Sequence, residues 1–478
     1  MKWRRPKRRV RADPSRLRLW PIGWALAACF AAALIGLAGL TWLALVLLRH
    51  PKLPHSSTVS LHDFVGVLQL VFASVAGAGA LVALVMAYRR QRVAETGTAH
   101  DRTRVLNERF TAIAAQLGDQ NAAVRLAGVH AMAGLADDWE ENRQTCIDVL
   151  CAYLRIPYEP EPGDDAPAAG RLSFRGNREV RHTVIRVITA HLRKDARVSW
   201  QGRDLDFTGV VFDGGDFSGA LFSGGEVGFG SAQFSGGTVY FTRTQFSGGN
   251  VYFGDAQFSG GKVYFGDAQF SGGQVNFIDA ELSGGEVSFG DVKFSAGTVY
   301  FGSAQFSGGN VYFGNAQFSG GKADFVGAQF SGCKVYFSGT EFSGSTVYLG
   351  DVKFSGGEVY FQAAQFSGGT VSFGGAEFSG CKVHFIDAEF SGGKVYFRRA
   401  EFSGGKVHFS GAEFSGGTVS FGNAQFSGGE VSFEMAEFTG GEVDFSMAAN
   451  WSHPPTFSWQ SNCPAGVELP AADRGLPS

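Results

Sequence analysis

His384 and His408 each stand in the same string, KVHF. Two imidazoles repeated in one sequence context make half of a metal site. No third ligand accompanies them, and the same slot elsewhere holds Tyr, Ser, Asn or Asp. The six cysteines, Cys29, Cys146, Cys151, Cys333, Cys381 and Cys463, show neither metal-pair spacing nor a disulfide framework. Free thiols in a reducing compartment are expected. The chain carries no P-loop, HExxH or nucleophile-elbow signature. These residues point away from catalysis, and no metal or cofactor is expected. What remains are outward ladders. Tyr240, Tyr264, Tyr312, Tyr336 and Tyr360 recur at multiples of 24, and Tyr252, Tyr300, Tyr348 and Tyr396 form a second series. Such tyrosines suit a protein or carbohydrate surface. Glu377 with Glu401, and Glu389 with Glu413 and Glu437, form acidic series suited to a basic partner, with Lys382, Lys394 and Lys406 near enough to compensate them.

A repeat imposes these spacings. Phe222, Phe234, Phe246, Phe258 and Phe270 recur every twelve residues, and the series runs through Leu282, Phe294 and Phe306 to Phe426 and Phe438 without insertion. Each unit reads roughly A-x-F-S-G-G-x-V-x-F-x-x, and some nineteen copies fill half of the 478 residues. Self-similarity of this kind specifies a solenoid. Within a unit the steps are five from Phe234 to Val239, two to Phe241 and five to Phe246. Strand alternation then turns Val239 and Phe241 inward and Tyr240 outward. Four corners joined by alternating sides of five and seven residues close after 24, so two units make one coil. A one-unit coil would force three large side chains into a very thin tube. Ser-Gly-Gly supplies the corners, glycine through positive φ and serine through a hydroxyl bond to nearby backbone. Stacking at about 4.8 Å gives about ten coils and a rod of roughly 50 Å. Cys333 and Cys381 then lie two coils apart, roughly 10 Å, beyond disulfide reach.

The residues leading into the array sharpen this. Phe207, Phe212, Phe217 and Phe222 are spaced by five, and Leu205, Val210, Gly215 and Ala220 stand two positions before them. The run LDFTG VVFDG GDFSG ALFSG resembles the pentapeptide-repeat family, whose unit is A-(D/N)-(L/F)-x-x. The resemblance covers roughly Asp204 to Ser446 and implies a right-handed, four-sided β-helix with the central Leu or Phe inside. The twelve-residue unit departs from that pattern. With the hairpin described next, the arrangement resembles membrane-anchored, actinobacterial-type, uncharacterised members, from which no activity carries over. Some members imitate duplex DNA and protect DNA gyrase. Between Asp204 and Ser446 there are 25 acidic and 11 basic residues, a net of −14 that permits such mimicry. Interspersed lysines and a tether oppose it.

Residues 1–20 carry nine Lys and Arg in the first eighteen positions. Residues 21–48 and 65–88 are apolar, free of charged side chains and long enough to cross a bilayer. Arg89, Arg90 and Arg92 follow. The charge flanks predict a two-span hairpin within 21–92 in the cell membrane, with both termini cytoplasmic. The first apolar run is too long for a signal peptide. Ala28, Ala32 and Gly36, and Ala76, Ala80 and Ala83, give small-residue faces for packing within the hairpin or for self-association. No ionisable group lies in either span, which argues against an ion pathway. Residues 93–156 read as a helical connector, with Asp119 capping its second helix. A flexible linker is expected over 157–173, a helix covering the open end of the solenoid over 174–203, the β-helix over 204–447, and a C-terminal cap and tail over 448–478 with Trp451, Phe457 and Trp459 on the last coil. The expected function is a non-enzymatic, membrane-tethered scaffold that presents a rigid rod to an unknown protein partner, without direct nucleic-acid binding. DNA mimicry acting on gyrase or topoisomerase is the alternative, and ligand binding by the tyrosines a third class.

Overall fold

One interval governs the strand ladder. Gln269 pairs with Lys293, Val275 with Val299, Glu281 with Gln305 and Val287 with Val311, each at the same stride along the chain and all parallel. The computed structural model describes residues 61–157, 159–459 and 463–471, with isolated positions between 27 and 46. Two units, Met1–Asn107 and Glu108–Ser478, are each compact. Within the second, one coil holds four short strands, for example Gln269–Phe270, Gln274–Asn276, Glu281–Leu282 and Glu286–Ser288. They join three sheets: a wide one that takes two strands from each coil, and sheets of ten and eleven strands that take one each. The chain is thus a parallel β-solenoid of about 24 residues per coil, as the periodicity predicts. The first coil is shorter. Leu205 pairs with Val227 and Val211 with Gln233, a smaller interval than in later coils, because one side there has five residues where later coils have seven.

The interior follows from the repeat. Ala256, Phe258, Val263 and Phe265 are all buried, and their equivalents form continuous columns. Phe229, Phe253, Phe277 and Phe301 stack with ring centroids 4.6–4.8 Å apart. A neighbouring column meets this one edge-on, Phe253 to Phe265 at 6.0 Å. Offset stacks crossed by edge contacts are the favoured aromatic geometries.

Two kinds of corner alternate. At the first, Ala256 N–H donates to Phe253 C=O at 3.1 Å, and Asp255 between them has φ 57°. Fourteen non-glycine residues adopt this left-handed conformation at equivalent positions. The expectation confined positive φ to Ser-Gly-Gly and overlooked this corner. Asp and Asn tolerate the conformation, but Ala363 at φ 53° has no such help. Ala363→Gly should stabilise the rod by about 0.5–1 kcal/mol, the relief of strain less the added unfolded-state freedom. A rise in denaturation midpoint without a change in slope would show it.

At the Ser-Gly-Gly corner, Gly309 has φ 71°, and a Cβ there would fall 2.5 Å from the Gly285 carbonyl oxygen. The corner serines are held through their backbone, Ser283 N–H to Phe258 C=O at 3.1 Å, rather than through the expected hydroxyl. Cys333, Ser345 and Cys381 replace the second glycine and leave the left-handed region. Their side chains turn into the core, where all three are buried. Ser345 Oγ donates to Phe318 C=O at 3.0 Å. Burial pushes the Cys333 thiol up to about 11 and Cys381 to about 12, so both are inert.

Helix α1, Leu61–Leu117, runs unbroken for 57 residues. The boundary expected at 92/93 therefore falls inside one helix. Among the described residues no helix is long and apolar enough to cross a membrane. The expected first span lies almost wholly outside those residues, as do residues 1–20 and the end of the tail. Helices α2, Ala122–Asp138, and α3, Arg143–Leu154, follow. Asn121 rather than Asp119 caps α2, accepting from Ala123 N–H at 2.9 Å, because Asp119 is engaged by the Asn121 N–H. Helix α4, Ala168–Leu192, begins inside the segment expected as a flexible linker.

Helices α2 to α4 pack together and close the first coil. The strands there, β1 (Leu205–Asp206), β2 (Val211–Phe212) and β3 (Gly215–Asp216), have carbonyls with no preceding coil to bond. Side chains replace it. Gln144 donates to Asp204 C=O at 2.7 Å, Arg155 to Asp206 at 2.7 Å and Arg181 to Val211 at 2.6 Å. Arg178 donates to Asp213 C=O at 3.1 Å and Thr189 to Asp216 at 2.9 Å. At the far end the ladder outlasts the expected limit at 447. Phe457 continues the column of Phe433 at 5.3 Å, and Val467 pairs with Val443. Trp459 stacks on Phe457 at 4.3 Å, and Trp451 meets Phe426 edge-on at 5.1 Å.

Candidate interaction surface

A repeat that aligns inward residues aligns outward ones too. Tyr240, Tyr264, Tyr312, Tyr336 and Tyr360 all lie in register on the eleven-stranded sheet. Tyr240 and Tyr264 stack at 5.8 Å, and Ser288 then interrupts. Beyond it Tyr312, Tyr336, Tyr360, His384 and His408 form one pile of near-parallel rings spaced 4.9, 5.0, 5.0 and 5.6 Å. The two histidines are the continuation of the tyrosine ladder. Among the described residues no group of three His, Cys, Asp or Glu is placed to hold a metal. Burial, and then the neighbouring His408, lowers the His384 pKa, which favours a neutral ring in the pile. Within the pile the rings cover each other's faces and present edges and hydroxyls; only the end rings, Tyr312 beside Ser288 and His408 beside Ser432, have a face that no ring of the column covers. A sugar ring stacks on an aromatic face, so the middle of the pile does not supply that contact.

Two positions earlier on the same strands runs a column that sequence inspection passed over: Lys262, Glu286, Asn310, Lys334, Glu358, Lys382, Lys406 and Glu430. Ion pairs link its members, Lys262–Glu286 at 3.8 Å, Lys334–Glu358 at 3.7 Å, Lys382–Glu358 at 3.3 Å and Lys406–Glu430 at 2.6 Å. The signal that could have found it is the two-unit stride applied to every outward slot, not only to those occupied by Tyr or Glu. Tyr360 donates its hydroxyl to Glu358. That bond, with burial behind it, pushes the Tyr360 phenol up to about 12 from 10. The same bond, with Lys382, lowers the Glu358 carboxyl. A raised phenol pKa stabilises the fold below the unfolded value and loses that contribution as pH rises through the folded one. In an ultraviolet titration of the folded protein, one late phenolate step near pH 12 is expected. Tyr360→Phe should delete it, and Glu358→Gln should bring it back toward 10.

The acidic candidates lie elsewhere. Glu377 and Glu401 are neighbours on the ten-stranded sheet, whereas Glu389, Glu413 and Glu437 line up on the wide sheet. The ten candidate residues therefore occupy three sheets, not one face. The expected compensation by Lys382 and Lys406 does not occur, because those lysines bond Glu358 and Glu430 on their own sheet. Lys353 reaches Glu377 instead, at 3.5 Å. On the wide sheet, Tyr252, Tyr300, Tyr348 and Tyr396 alternate with Asn276, Asp324 and Ser372 and form no pile. Lys322 fills one gap, 2.7 Å from Asp324 and 4.7 Å from the Tyr348 ring centroid.

A cavity of about 320 Å³ opens between the cap helices, lined by Arg125, Tyr153, Phe174, Asn177, Arg178 and Arg181 among others. Its arginines donate to the backbone carbonyls of Asp119, Leu154, Val211 and Asp213 and so hold the cap together. Comparison of the chain with protein-family models, with curated proteins and with solved structures returns no match.

Proposed function

We propose that this chain is a non-enzymatic scaffold, a rigid β-solenoid tethered to the cell membrane through residues 21–88 and offering its outward ladders to a protein partner in the cytoplasm. The observation that carries the reading is the constant register of the eleven-stranded sheet, kept from Gly215 to Phe457, which holds outward side chains in straight columns. The regular spacing and the four strands per coil support a place in the pentapeptide-repeat family and its right-handed winding. Support for the tether comes from the two apolar stretches and from exposed large apolar side chains, Ile35, Trp42, Phe72, Leu84 and Met86, which need a non-aqueous cover. The lysines paired along the charged column weigh against imitation of a DNA backbone.

The tether is tested by fractionation. The protein should stay with membranes through an alkaline wash and come off in detergent, and deletion of 21–88 should release it. Cys463, exposed near the C-terminus, should react with a membrane-impermeant maleimide only after cells are opened. Labelling in intact cells, or release by the wash alone, would overturn the reading. The scaffold role is tested by affinity capture in mild salt, where a reproducible protein partner is expected and its absence counts against the reading.

A further inference from the structure

The charged column on the eleven-stranded sheet reads Lys262, Glu286, Asn310, Lys334, Glu358, Lys382, Lys406, Glu430. Taken from its other end, every charge but one meets its opposite. Lys262 falls against Glu430, Glu286 against Lys406, and Lys334 against Glu358. The remaining match, Asn310 with Lys382, brings no two like charges together. The pivot lies midway between Lys334 and Glu358. In the ladder beside it the central aromatics match about the same pivot, Tyr336 with Tyr360 and Tyr312 with His384, and Ser288 falls opposite His408. We propose that this face is a two-fold, antiparallel interface between two copies of the chain. The inference rests on the scaffold reading and names the occupant of one face.

The geometry selects the antiparallel arrangement. A two-fold axis lying in the interface along the strand direction lays each column on its own copy in reverse order, so lysines meet glutamates. An axis along the rod and over this column would lay Lys on Lys and Glu on Glu, and like charges directly opposite repel; displaced to run between the two columns, it would set charged side chains against the aromatic ladder and gain no ion pair. This sheet is suited to the contact because no pairing in it shows a register shift, whereas the wide sheet has shifts at Ser223 and Ser391. The other sheets offer no comparable column. The ten-stranded sheet presents Gln233, Gln257, Glu281, Gln305, Gln329, Lys353, Glu377, Glu401 and Gln425, mostly neutral and lacking reversed complementarity. The charged side chains are accessible, Lys262, Lys334, Lys382 and Lys406 each being 51–56% exposed. Every charge already has a neighbour of opposite sign in its own column or gains one across the axis. The interface thus adds ion pairs across the axis to those already made along the column. Eight coils by two columns cover roughly 450 Å² per copy, below the standard interface size, so the association is transient and weakens with salt.

The test uses the full chain in detergent with Cys463 replaced by serine. Ser288 and His408 are five coils apart in one molecule, roughly 24 Å, but opposite each other across the proposed axis. A short bis-maleimide is the right probe, since face-packed sheets lie about 10 Å apart, beyond a disulfide. The Ser288→Cys/His408→Cys chain should give a covalent dimer, and Ser288→Cys alone should not. Adding Lys334→Glu should reduce the dimer yield at least tenfold. Adding Glu358→Lys to that variant should restore it, because the pair then matches in the reverse sense. A dimer from Ser288→Cys alone would overturn the antiparallel register. No dimer from the double-cysteine chain, with its thermal melt unchanged, would overturn the interface. Affinity capture of a different protein partner would survive either failure, so the scaffold reading is judged separately.

Discussion

Phe313→Asp should divide the solenoid into two halves that unfold separately. The Phe313 ring lies between Phe289 at 4.9 Å and Phe337 at 4.7 Å, with Phe301 and Phe325 edge-on at 5.9 and 6.0 Å. Removing a ring so enclosed costs about 3–5 kcal/mol. A carboxylate in its place adds a desolvation cost of several kcal/mol more. In a stacked repeat each coil is stabilised chiefly by its neighbours, so the damage stays local and the outer coils persist. Denaturant should give two transitions where the parent gives one, and limited proteolysis should cut between residues 289 and 337. Phe313→Leu is the control. Leu282 and Leu349 already occupy phenylalanine columns and are buried there, so this change should cost under about 1.5 kcal/mol and keep one transition. A single transition in the aspartate variant would show that coupling reaches further than adjacent coils.

Loss of the N-terminal cap is the second large effect, and Arg181 is its weakest point. Its side chain is only 7% exposed, and its guanidinium donates to Leu154 C=O at 2.8 Å and Val211 C=O at 2.6 Å. One residue thus ties the end of α3 to strand β2. Arg181→Ala strands two buried carbonyls, a loss of about 3–5 kcal/mol for two charge-assisted bonds. The helical signal should melt below the β signal, and the bared edge of the first coil should drive aggregation visible by light scattering. Acid acts on the same joint. Burial pushes the Asp213 carboxyl up, but the His182 hydrogen bond, followed by the charges of His182, Arg178 and Arg181, outweighs it and holds the group below its ordinary 3.8. A depressed carboxyl stabilises the cap fully above the unfolded value and ceases to do so as pH falls through the folded one. Acid titration should therefore release the cap before the rod, and Arg181→Ala should move that release to higher pH.

The coil length was legible because Phe and Val recur with a fixed phase that only one closure satisfies without overcrowding. The Tyr240–Tyr360 and Glu389–Glu437 columns followed by arithmetic from that closure. The left-handed turn at Asp255 was legible and was missed: Asp, Asn or Gly fills most of its equivalent positions, the residue types that favour this conformation, while Arg, Ser, Ala and Met at the others blur the signal. The inward turn of Cys333 and Ser345 escaped for another reason. A single substitution switches the corner's backbone, and the repeat pattern cannot show that. The cap was foreseen as one helix and found as three, since α2 and α3 carry weak amphipathic patterns and declare their role only through polar ends such as Gln144 and Arg155.

Since a coil consumes two repeats, the array has a parity. Gaining or losing one twelve-residue unit by recombination would leave the aromatic interior intact, yet every downstream column would move to a different sheet. Gaining or losing a pair lengthens or shortens the molecule by one layer and leaves each face in line. Length can therefore drift in whole layers at little cost, and a lineage that depends on one face should differ from its siblings by an even number of units, not an odd one.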